Sequence, residues 1–188
     1  MKEQRKDELR SLTIKLKRDF KLRLIDQSNL ERLFSQSEYA KMISIIKNHL
    51  GVTCKLSVKC ITSDWLREIN TPIARIEVPE KFPAYGSKEY LETKLDMSFY
   101  KELTSLSFHA FILAIAHELC HAVLHGLGHP LRHSEEATDI TAMLLGFSIN
   151  YELGKITINN QIPGETSMHQ LGYLTLEEIF FVIEVIEE

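Results

Sequence analysis

The sequence predicts an α+β domain in which helices flank a small, mostly antiparallel sheet. Three observations point that way. Near the start, Leu9, Leu12, Leu16 and Phe20 recur at helical spacing. From residue 52 to 100, three β-rich segments are separated by Pro72, Pro79, Pro83 and Gly86. Three helix-like segments follow, the first of them apolar without interruption from Ala110 to Ala116 apart from its flanks. At 188 residues and 44% hydrophobic content, the chain is long enough for one well-buried domain over 1–188. A helical part over 1–50 precedes the sheet and the later helices, over 52–188.

Each element has its own local signal. Leu9, Leu12, Leu16, Phe20 and Leu24 place a first amphipathic helix over 3–26. Ser35 and Glu38 read as a capping box that opens a second helix, and Gly51 closes that helix after Leu50. Residues 52–61 alternate loosely and residues 73–78 are β-rich. Over Lys94–Tyr100, Leu95, Met97 and Phe99 alternate with Asp96 and Ser98. A helix over 107–127 comes next, then another from Glu135 to about Gly146. A loop through Gly154, Pro163 and Gly164 leads to Thr175 and Glu178, a second capping box. That box starts a packing helix over Leu176–Glu187.

Chemistry concentrates in His117-Glu118-Leu119-Cys120-His121, inside the apolar helix. Histidines at i and i+4 lie on one face about a turn apart, so both imidazoles can reach one metal ion. An unremarkable core helix with satisfied histidines is the alternative. Yet His117, Glu118 and His121 interrupt an otherwise apolar run, and burying them unpartnered costs several kcal/mol. A metal ion removes that cost. The spacing is the HExxH arrangement of zinc metallopeptidases, in which the glutamate touches a water on the metal.

Two histidines leave a catalytic zinc one protein ligand short. Glu135 and Asp139 share a helix face downstream, with Ala137, Ile140 and Leu144 able to pack inward. The economical assignment makes Glu135 the third ligand and Asp139 the carboxylate that fixes a liganding histidine's tautomer. Glu136 competes for the third position. His125, about 12 Å along the helix from His117, is too far to share the ion. His129 and His133 remain loop candidates. Leu124 and Leu127 stand where metzincins carry glycine and histidine, which excludes that clan.

With these residues in view, the chain resembles the gluzincin peptidases, the thermolysin-like clan, over residues 108–146. The Glu-Glu-Ala-Thr-Asp stretch from Glu135 to Asp139 is also similar to the second helix of small cytoplasmic bacterial zincins. The resemblance implies a zincin-like α+β fold and one zinc ion held by His117, His121 and Glu135. It implies Asp139 as orienting residue and Glu118 as general base in peptide-bond hydrolysis. It further implies a strand beside the metal that receives substrate backbone. Lys94–Tyr100 is the candidate, set against an ordinary internal strand. An oxyanion donor is usual in the clan, and Tyr151, His169 and Tyr173 are open to that role. The implied partner is a protein or peptide substrate, in compact members commonly a dedicated one.

Composition bounds the alternatives. Net charge is −4, which favours neither nucleic acid nor membrane for the chain as a whole. Residues 1–24 nevertheless hold nine Lys/Arg against four Asp/Glu. That basic start reads as a solvated helix face, or else as an arm for nucleic acid. The second option fits a DNA-associated SprT-like protease with a third histidine ligand. A non-catalytic zinc-containing binding module is a further alternative, against which Glu118 argues because a structural site has no use for a base. Cys54, Cys60 and Cys120 lack metal-type spacing and leave an odd thiol, as expected in a reducing compartment. The first residues have no apolar signal region, and no apolar run approaches the ~20 residues of a membrane span. The expectation is a cytoplasmic protein without a membrane anchor.

Overall fold

A computed structural model describes residues 1–62, 72–161 and 172–188. The loop markers Pro163 and Gly164, and His169, lie outside the described residues.

The first helix, α1 (Glu3–Asp19), buries Leu9, Thr13 and Leu16, but it ends well before residue 26. Phe20 turns the chain into extended backbone. Asp26 then caps a helix the spacing did not suggest, α2 (Gln27–Ser35), accepting from the N–H groups of Ser28 and Asn29. Leu24 continues the apolar period only by coincidence and is 89% exposed. The predicted box at Ser35 and Glu38 does not form. Ser35 is the last residue of α2, and its hydroxyl donates to the Arg32 carbonyl. Helix α3 (Tyr39–His49) therefore starts without a side-chain cap and ends, as expected, before Gly51.

Among the described residues three strands follow: β1 (Lys55–Ile61), β2 (Ala74–Glu77) and β3 (Lys94–Tyr100). A short helix, α4 (Lys88–Glu92), capped by Ser87, lies just before β3. The strand order is β1-β3-β2, with β1 parallel and β2 antiparallel to β3. The sheet is thus mixed rather than mostly antiparallel, because β1 reaches β3 by a long crossover instead of a hairpin. Strand β3 is the internal strand, paired on both sides, and among the described residues β2 is an edge.

Helix α5 (Phe108–Gly126), capped by Ser107, runs through the middle of the core. It is long and apolar enough to cross a membrane by length and composition, and 78% of that window is buried inside the protein. Burial on every side is what an all-round apolar helix requires. It packs against β2, α3, α6 (Glu135–Ala142) and α7 (Ser148–Gln161). A wider turn at Met143–Phe147 joins α6 to α7, with Gly146 at φ 109°. Residues 148–161 are helical where a loop was expected. Gly154 is not a loop marker: a Cβ there would meet the His109 carbonyl at 3.0 Å, so its bare backbone lets α7 lie close against α5. The last helix, α8 (Leu176–Glu187), has its full capping box from Thr175 and Glu178 and packs on α1 and α7.

Candidate metal centre

The i, i+4 spacing puts the rings of His117 and His121 4.9 Å apart on one face of α5. Ser134 caps α6 and starts it so that Glu135, the first helical residue, faces these rings. Glu135 Oε2 lies 3.1 Å from His117 Nε2 and 3.2 Å from His121 Nε2, and the two Nε2 atoms are 3.2 Å apart. Three donor atoms thus form a nearly equilateral triangle. This cluster of His117, His121 and Glu135 can hold a metal ion.

Asp139, fully buried one turn further along α6, sets the histidine's orientation. His117 Nδ1 donates to its Oδ1 at 2.7 Å, which leaves Nε2 to face the triangle. The Tyr151 hydroxyl also donates to Oδ1, at 3.0 Å. The backbone N–H groups of Tyr173 and Leu174 donate to Oδ2 at 2.6 and 3.1 Å. Burial works to raise the Asp139 pKa, but His117 and the Tyr173 and Leu174 N–H groups win and hold it below its ordinary value. Gly172, at φ +71°, belongs to this arrangement, since a Cβ there would sit 3.3 Å from both carboxylate oxygens.

The field at the site selects positive charge. Burial opposes the imidazolium form of His117, yet Asp139 and Glu135 outweigh it and raise the pKa to about 10. The same pairing, with His117 first and then His121, lowers Glu135 to about 2. Glu118 behaves differently. Burial raises its pKa, only partly countered by the histidines, while the Ile76 N–H donates to Oε2 at 2.8 Å. Glu118 lines the same cleft as the cluster, a cavity of 330 Å³ walled on one side by β2 and on the other by Tyr173.

Other candidates are placed elsewhere. Glu136 faces away and pairs with Arg5 at 2.6 Å. His129 is buried against Phe20 and lies 3.1 Å from Asp19 Oδ2. His133 pairs edge-on with His125, which reaches the cleft rim. Among the oxyanion candidates, Tyr151 is fully buried behind Asp139, whereas Tyr173 is half exposed and stacks on His117 at 5.7 Å. Cys120 is buried, and burial pushes its thiol pKa up. Sequence reasoning did not find Arg5, Tyr151 as a donor to Asp139, or the Ile76 contact. None of these carries a local spacing signal.

Compared with protein-family models, with curated proteins and with solved structures, the chain has no match in any of the three.

Proposed function

We propose that this chain is a zinc-dependent peptidase of the gluzincin type, hydrolysing peptide bonds in a protein or peptide substrate. The observation that carries the reading is the convergence of the His117–His121–Glu135 triangle with Glu118 in one cleft. Its dimensions suit the ion. Ligands roughly 2.05 Å from a tetrahedral zinc stand about 3.3 Å apart, close to the observed 3.1–3.2 Å. Two imidazoles, of which His117 gives up a proton when metal binds, and one carboxylate fit zinc chemistry, and Asp139 supplies the carboxylate partner such histidines need. Zinc bound there supplies Lewis acidity toward the scissile carbonyl and acidifies water.

The chain's own residues do the rest. Glu118 takes a proton from the attacking water and returns it to the leaving amine. Its buried position keeps it a better base than an exposed glutamate, and Ile76 fixes its orientation. Strand β2 is the rail for substrate. Ile73 accepts from Tyr100 N–H in β3, whereas the Ile76 N–H points to the cleft side and is taken by Glu118, so the strand's outward side is the one beside the candidate metal site. The role expected of Lys94–Tyr100 passes to this neighbour. Tyr173, beside His117 at the cleft wall, is the described residue best placed to donate to the developing oxyanion.

Third-histidine chemistry has little support, because His133 packs on His125, His129 is engaged with Asp19, and Glu135 completes the triangle. The nucleic-acid arm loses part of its charge, since Arg5, Arg10 and Lys17, three of the nine basic residues over 1–24, are bound to the C-terminal helix and its cap. The test is Glu118→Gln. Zinc content stays at the wild-type level and kcat/KM falls by roughly 10²–10⁴-fold. Undiminished cleavage by that variant would remove Glu118 from the mechanism.

A further inference from the structure

We infer that Arg5, on the first helix and outside the cleft, is a positioning residue for the metal centre. It fixes the first turn of α6, which carries Glu135, and the segment that orients Asp139. The inference rests on the reading of His117, His121 and Glu135 as a metal site.

Arg5 uses its whole guanidinium fork. Nη2 and Nη1 donate to Glu136 Oε1 and Oε2 at 2.6 and 3.3 Å, and Nε donates to Glu178 Oε1 at 2.6 Å. Paired, multiply bonded guanidinium contacts fix geometry as well as charge. Glu136 follows Glu135 in the first turn of α6, so about 100° of helix rotation separates them. Gripping one directs the other toward α5. The second arm reaches the site through Glu178. Its Oε2 accepts from the Thr175 N–H and hydroxyl at 2.8 and 3.0 Å, which anchors the chain next to Tyr173 and Leu174. Those two residues give their N–H groups to Asp139. One side chain of α1 therefore holds both the helix bearing the third ligand and the clasp on His117's partner.

A built-in control separates positioning from simple packing. Arg10 lies on the same helix and ties it to α8 through Glu188 at 2.5 and 2.9 Å, yet its contacts there do not involve α6. On the full chain, zinc affinity is measured by competition with a chromophoric chelator, and unfolding of the metal-free protein is followed in parallel. Arg5→Met weakens zinc binding about tenfold, the low end of the cost of losing a residue hydrogen-bonded to a metal ligand, because Arg5 acts one contact further out. Glu136→Ala, a milder change should Arg5→Met fold poorly, removes one of the two arms and weakens binding in the same direction, and the double variant is no worse than Arg5→Met alone. Arg10→Met stays within twofold of wild type.

If Arg5→Met and Glu136→Ala both bind zinc as tightly as wild type, while Glu135→Ala loses it, the positioning role is overturned and the metal site stands. An Arg10→Met loss equal to that of Arg5→Met also overturns the role, by making it general packing. A wild-type chain that takes up no zinc overturns both readings.

Discussion

Asp139 accepts four hydrogen bonds while fully buried, and the orientation of His117 hangs on them. Asp139→Asn replaces an acceptor by an amide that no longer matches the donors around it. We predict zinc affinity 10–100-fold weaker by chelator competition, the usual range for such outer partners. Tyr151→Phe removes one donor to the same carboxylate and is predicted to cost about 2 kcal/mol in urea unfolding. At this scale the pairs His117 with His121 and Glu135 with Asp139 were legible because helical periodicity decides which residues share a face, whereas Glu118 and the meeting of the two pairs were expected from the HExxH pattern and the gluzincin resemblance. Tyr151 and the Tyr173 and Leu174 N–H groups were not legible. They reach Asp139 from other elements, and nothing in their immediate neighbours announces the contact.

The two capping boxes read from the sequence make a matched pair with opposite outcomes. Thr175 and Glu178 form theirs, with both reciprocal bonds present. Ser35 instead finishes α2, a helix that begins because the Asp26 carboxylate satisfies two N–H groups. The motif is the same, and what differs is whether a helix already occupies its first residue. Thr175→Val and Asp26→Ala should each lose about 1 kcal/mol in urea unfolding, whereas Ser35→Ala should lose almost nothing. Helix α7 was missed for a different reason. Gly154 lowers local helix propensity, and close packing on α5, invisible to local reading, outweighs that cost.

At the scale of the whole molecule, the two ends of the chain meet: α1 packs on α8, and Arg5 joins both to α6. Pairings across such distances, like the position of β2 at the sheet edge, were beyond sequence reasoning because only the folded topology creates them. One of them also contributes to the acid response. Burial opposes ionisation of Glu178, but Thr175 and Arg5 lower its pKa below the ordinary glutamate value. A depressed carboxylate contributes stability that is fully present above its unfolded pKa of about 4.3 and is lost as pH falls through the folded value. Arg5→Met should therefore flatten the loss of stability on acidification, read as urea midpoints across that range. The proposed function stands on a zinc site formed by three side chains from two helices. The direct test is the metal content of the purified chain beside Glu135→Ala, by elemental mass spectrometry. About one zinc per chain, lost in the variant, is the predicted result. Zinc retained by Glu135→Ala, or no zinc in the wild-type chain even after reconstitution, would contradict it.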